Sequence, residues 1–318
     1  MLRLLLLTAM SLAAFAAHAQ TPGRPIRMLV PVVAGGGPDL AARIIGPRLS
    51  ELLGSPVVVE DRGGANGNIA GQMTAQSPPD GQTLLLSTDS LIVINRALYR
   101  NMGFDPLKDL APIATVTANE FLLTVNRSVP VKALPEFVDY AKKAPKPLPY
   151  ASAGSGSQHH LLMEMLKVRT GINLLHVPYK GGAQAVSATV AGDTVVTFSG
   201  GASSAPHVKA GTLRALAGSG KERSAAYPDV PTVGEFYAGY EGVIWSGLFA
   251  ASGTPEAIVA RLRSDLYKVL AEPEVKDGLA RAGGLRPYVT SAAQFADIIR
   301  RDSDKYAEVV SRIGLTLD

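Results

Sequence analysis

The chain predicts an α/β protein of two successive units, on three observations. Short apolar runs alternate with longer helical patterns through the first 120 residues, the same alternation restarts near Phe121, and the C-terminal third is helical. Strands that alternate with helices pair in parallel through crossovers, so each unit is expected to be a mainly parallel sheet flanked by helices.

In chain order, Ile26 to Val33, Val57 to Glu60 and Thr83 to Leu86 read as strands, separated by helices near 39 to 53 and 67 to 76. Pro47 falls inside the first helical pattern, where its missing N–H and crowded ring predict a kink away from any anion site. The second unit opens with Phe121-Leu122-Leu123-Thr124-Val125. A helix near 134 to 144, a strand ending at Tyr150-Ala151 and a helix from Gln158 to Thr170 follow. Leu174 to Val177, Val195 to Phe198 and Leu213 to Ala217 are further strands. After a Gly-, Ser- and Pro-rich stretch, Trp245 to Ala250 reads as a strand returning to the first unit. Pro255 then opens a helix that keeps Ile258, Leu262, Leu266 and Leu270 on one face.

Met1-Leu2-Arg3, an apolar run to Ala17 and the small-x-small Ala17-His18-Ala19 form a secretory signal peptide over residues 1–19, so the mature chain is expected to begin at Gln20. The apolar stretch of roughly 14 residues falls short of the ~20 needed to span a bilayer. The expected location is therefore extracytoplasmic, most simply periplasmic. The chain has no cysteine, which excludes a disulfide framework and thiol chemistry and leaves stability to a buried core, most naturally in two domains. Cleavage removes Arg3 alone, leaving 30 basic against 27 acidic residues. The basic residues are scattered rather than gathered into the stripe that nucleic-acid binding requires.

Ligands of doubly wound sheets sit beyond the carboxyl ends of the strands. The loops expected there are Ala34-Gly35-Gly36-Gly37-Pro38-Asp39, Ser87-Thr88-Asp89-Ser90, Ser152-Ala153-Gly154-Ser155-Gly156-Ser157 and Ser199-Gly200-Gly201. All four are rich in Gly or Ser, which let a ligand approach the backbone and offer uncharged donors. The first feeds a helix start, whose free N–H groups favour a carboxylate or phosphate.

Dinucleotide fingerprints fail at the third glycine, where Gly154-Ser155-Gly156 leads to His159 and Gly35 and Gly37 lead to Leu40. Gly218-Ser219-Gly220-Lys221-Glu222 lacks both the first glycine and the Ser/Thr of a phosphate-binding loop. Adjacent His159 and His160 point to different sides of a helix and make poor joint metal ligands. His159 reads as a loop donor or cap more readily than as a general base; Trp245 reads as core more readily than as a ligand platform, yet its place at the start of the returning strand sets it near a cleft and makes it a candidate ligand contact.

Many ordered segments resemble one family from Pro25 to the C-terminus. They include Pro31 to Asp39, Val57-Val58-Val59-Glu60-Asp61-Arg62-Gly63-Gly64-Ala65-Asn66-Gly67-Asn68, Pro79-Asp80-Gly81 and Asp105-Pro106-Leu107-Lys108-Asp109. Tyr150-Ala151-Ser152, His176-Val177-Pro178-Tyr179-Lys180-Gly181, the run from Lys209 to Ala217, and Pro228 to Val233 continue the match. Together they resemble the Bug or TctC receptors of tripartite tricarboxylate transporters. The resemblance implies a two-lobed, Venus-flytrap periplasmic binding protein, monomeric, without cofactor or metal. Residues 20–122 with 245–318 would form one lobe and 123–244 the other. The lobes would close over a small carboxylate for delivery to a membrane permease. Carried onto this chain, the contacts are Ala34 to Asp39 and Ser87 to Ser90 from the first lobe, and Ser152 to His159, Tyr179, Lys180, Ser199 and Gly200 from the second.

Where the family commonly has Phe-Asp-Asn, this chain has Phe198-Ser199-Gly200-Gly201. Loss of an acidic partner for an ammonium group points away from amino acids, toward a non-amino dicarboxylate or an aromatic carboxylate. A secreted hydrolase using a serine and His159, and a sensor presenting its closed form to a signalling partner, are the alternatives.

Overall fold

The computed structural model describes residues 23–224, 226–282 and 284–317. Residues 1–19, read above as an export signal, lie outside the described residues.

Three parallel strands open the first sheet: β1 (Ile26–Val30), β2 (Val57–Asp61) and β3 (Thr83–Thr88), in the order β2-β1-β3. Helix α1 (Gly37–Leu53) crosses from β1 to β2. It runs unbroken through the exposed Pro47 and stops at Gly54, whose left-handed φ of 65° suits glycine. After the short α2 (Asn68–Ala75), a π-helical turn at Ser90–Ile94 and α3 (Asn95–Leu98), the chain enters β4 (Leu110–Asn126).

β4 joins the two halves of the molecule. Its first part, Leu110 to Glu120, pairs antiparallel with β9 (Val243–Ala251), which in turn pairs antiparallel with β3. Its second part, Phe121 to Asn126, pairs antiparallel with β7 (Val196–Gly200) and β8 (Leu213–Gly218) in the second sheet. That sheet repeats the first, with β6 (Leu174–Pro178), β5 (Leu148–Ser152) and β7 parallel. Helices α4 (Leu134–Lys143), α5 (Gln158–Thr170), α6 (Gly182–Ala191) and α7 (Gly201–Lys209) connect its strands. The single-turn α8 (Val233–Phe236) precedes β9. The chain then closes with α9 (Glu256–Ala271), α10 (Pro273–Arg281), the two-residue β10 (Arg286–Pro287) against β4, and α11 (Ala292–Ile313).

Apolar side chains fill both faces of the first sheet. Ile26, Met28 and Val30 pack beneath α1, α9 and α10. Leu29, Leu85, Trp245 and Phe249 pack on the other face with Phe295, Ile298 and Tyr306 of α11. Leu161 of α5 enters this second cluster, so the helix of one sheet is seated against the core of the other. The second sheet has its own core around Leu123, Phe137, Tyr150, Leu166 and Phe198. Where the sheets meet, buried Ser219 binds both crossing segments. Its hydroxyl accepts from Phe121 N–H at 2.9 Å and donates to the Gly242 carbonyl at 2.6 Å.

Candidate ligand-binding cleft

A cleft of about 620 Å³ lies between the two sheets, at the carboxyl ends of their parallel strands. Four helices that begin at its wall have a glycine as N-cap, which supplies no side-chain oxygen: Gly36 for α1, Gly67 for α2, Gly181 for α6 and Gly200 for α7. The first-turn N–H groups of such helices have no intrahelical acceptor, and the helix dipole puts positive potential at each start. α5 starts at the same wall but is capped, Ser157 accepting from His160 N–H.

Among the described residues no aspartate or glutamate lines the cleft, and Lys180 is the one cationic residue there. The remaining polar groups are Asn66, Thr88, Ser90, Thr117, Asn119, Ser157, Gln158, His159, Gln184, Ser203 and Ser246, while Phe121, Ile244, Leu285 and Val32 give it apolar surface. The arrangement suits an anion with an apolar body, and it offers an ammonium group no carboxylate.

The glycine loop after β1 owes its shape to Asp39. One carboxylate oxygen accepts from Gly35 N–H at 2.7 Å and the other meets Arg43 Nε at 2.6 Å, so Asp39 is almost wholly buried behind the loop and does not line the cleft. Ala34, Gly35, Gly36, Gly37 and Pro38 do line it. In the second loop Thr88 and Ser90 face the cleft, whereas Ser87 and Asp89 are buried. Burial, reinforced by the charge of Asp302, pushes the Asp89 carboxyl up to about 7 even though Gln158 donates to it.

In the Ser152 to Ser157 loop, Ser157 faces the cleft, and its hydroxyl donates to the Gly154 carbonyl at 2.7 Å. Ser152, Gly154, Ser155 and Gly156 do not line it. Buried Ser152 is paired with His176 Nε2 at 2.6 Å, and Gly156 N–H donates to His160 Nδ1 at 3.1 Å. The two imidazoles stack at 3.9 Å. Burial pulls His160 down to about 3 and His176 to about 4, so both are neutral props beneath the loop. Gly156 itself has no room for a side chain, since a Cβ would stand 2.5 Å from Leu98 of the facing half.

His159 and Lys180 face the cleft, but Tyr179 does not; its backbone N–H donates to the Ser152 carbonyl at 2.9 Å. Gly200 faces it, and Ser199 is fully buried. Trp245 is the clearest departure from expectation. On β9 alternate residues face opposite sides; Ile244 and Ser246 line the cleft, while the Trp245 indole turns into the core and donates to Asp302 Oδ2 at 2.9 Å.

Sequence reading misses a fifth loop, Gly63, Gly64, Asn66 and Gly67 after β2, which also lines the cleft. Ala65 and Asn66 are left-handed there, with φ of 46° and 50°. The Asn66 side chain is held by Asn95 Oδ1 at 2.6 Å. The rule that picked the other loops, the carboxyl end of a parallel strand, picks this one too. Thr117, Asn119 and Phe121 were also missed; their i, i+2 spacing on β4 is the available signal.

Residues 41–315 match the family model of the tripartite tricarboxylate transporter family receptor. The chain belongs to that family. It is 34% identical over 310 residues to a protein described as lying in the gbd 5' region of Cupriavidus necator, covering 96% of this chain and 94% of that one. Among solved structures, a Rhodopseudomonas palustris protein with adipate is similar with a TM-score of 0.86 and 32% identity, over 93% of this chain and 99% of the other. MatC from the same organism, with bound malate, gives a TM-score of 0.80 and 29% identity over 91% of this chain and 100% of its own. These relatives make the protein a solute receptor rather than the hydrolase considered above. No helix among the described residues is long and apolar enough to cross a membrane.

Proposed function

We propose that this receptor binds a small non-amino dicarboxylate between its two halves, in the periplasm, and presents the loaded form to a tripartite-type membrane permease. The observation that carries this reading is that glycine-capped helix starts from both sheets open onto one cleft that, among the described residues, has no acidic side chain. One carboxylate would sit at the α1 start, against the free N–H groups beyond Gly36, and the other across the cleft at the starts of α6 and α7. The adipate and malate held by the two similar structures are both dicarboxylates, which supports the class.

Residues 20–122 with 245–318, and 123–244, would act as the two rigid lobes. The hinge would lie next to these boundaries, where β4 passes from pairing with β9 at Glu120 to pairing with β7 at Phe121 and where the chain returns at Val243. Closure would then bury the ligand. A ligand that binds only the folded state raises the melting temperature, so a thermal-shift panel of dicarboxylates, tricarboxylates, aromatic acids and amino acids tests the reading. Dicarboxylates are expected to give the largest shifts; a larger shift with an amino acid would reverse it.

A further inference from the structure

His159 stands at the start of α5 with its ring in the cleft, and neither ring nitrogen has a hydrogen-bond partner among the described residues. The ring is fixed by an edge contact with Phe121, centroids 4.5 Å apart and planes at 61°. Its Nε2 lies against the first residue of α6, since a Cβ at Gly182 would be 2.8 Å away. A Cβ at Gly200, the N-cap of α7, would be 3.3 Å from the same Phe121 ring. The imidazole therefore sits beside the uncapped start of α6, and the Phe121 ring that fixes it lies beside that of α7; its ring nitrogens offer an unused donor and an unused acceptor.

We propose that His159 is the specificity residue for the ligand's far end, its imidazole hydrogen-bonding a second carboxylate seated at the starts of α6 and α7. The inference rests on the dicarboxylate reading above and adds to it the residue that distinguishes a dicarboxylate from a monocarboxylate of equal length.

A consequence separates this role from simple packing. Burial holds the free imidazole neutral, at about 4. A carboxylate in contact with it favours the protonated form, so binding a dicarboxylate takes up a proton. The residues shown against the His159 ring, Phe121 from β4 and Gly182 from α6, are uncharged, as are Asn119, Gln184, Gly200 and Ser203 elsewhere in the cleft lining. Lys180, ahead of α6, is the one cation lining the cleft among the described residues and opposes protonation.

Calorimetry of wild type and His159→Gln with adipate and with hexanoate, between pH 6 and 8 in buffers of different ionisation enthalpy, tests this. If the bound imidazole titrates near neutrality, wild-type affinity for adipate should rise about tenfold from pH 8 to pH 6 with proton uptake. His159→Gln should lose the uptake and the pH dependence and bring adipate down toward hexanoate, while Gly182→Ala, which displaces the ring, should weaken adipate selectively. Adipate binding that is tight but pH-independent, and unchanged in His159→Gln, overturns the role of His159 and leaves the dicarboxylate reading intact. Failure of wild type to prefer adipate over hexanoate at any of these pH values overturns both.

Discussion

At the scale of single residues, two buried carboxylates do opposite work. Asp39 spends its charge on Gly35 N–H and Arg43, at the positive end of α1, where an acidic side chain is stabilised by the helix dipole. Asp39→Ala should free the glycine loop, lowering stability by about 1–2 kcal/mol and ligand affinity at least severalfold, read by denaturant titration and calorimetry. Asp89 has one oxygen without a partner and is held protonated into the neutral range. Its folded pKa, about 7, lies above the ordinary carboxylate value, so the native state binds the extra proton. Stability should therefore fall as pH rises from about 4 through about 7. Asp89→Asn is expected to flatten that slope and to raise stability at pH 8 by about 1–3 kcal/mol. An unaltered slope in the variant would assign the pH dependence elsewhere.

At the scale of elements, the two crossings between sheets are pinned by one hydroxyl. Ser219→Ala leaves Phe121 N–H and the Gly242 carbonyl without their buried partner, which should cost about 1–3 kcal/mol in thermal or chemical unfolding. How far the elements are legible in sequence follows from their patterning. The parallel strands are legible because burial on both faces makes them continuous apolar runs, as in Thr83–Thr88. β4 is legible only from Phe121 onward, since Pro112, Asn119 and Glu120 interrupt the half that pairs with β9. α7 is hidden by its composition, Gly-Ala-Ser-Ser-Ala-Pro, which offers no amphipathic period. Among site residues, the loops are legible from topology but the facing of each side chain is not. Thr88 against Ser87, and Ile244 against Trp245, differ by one position in strands where a single step reverses the face.

At the scale of the whole molecule, the two halves touch each other beside the cleft. α5 packs on the core of the opposite half through Leu161, Gln158 donates to Asp89 and accepts from Tyr306, and Gly156 fits against Leu98. With the hinge proposed above, these contacts should be broken when the ligand leaves. Small-angle scattering is expected to show a smaller radius of gyration with adipate than without; equal radii would remove hinge closure from the account. Whether unoccupied helix starts hold the ligand's carboxylates is decided at Gly181. A side chain there meets no atom within 4 Å, and its φ of 163° is extended backbone open to any residue. Gly181→Asp would fill the α6 start with a carboxylate of its own, stabilising the helix by about 0.5–2 kcal/mol. Isothermal titration of adipate into wild type and Gly181→Asp is the decisive measurement. Saturable binding in wild type, lost in a variant that melts no lower, is the predicted result; equal affinity in both would contradict the account.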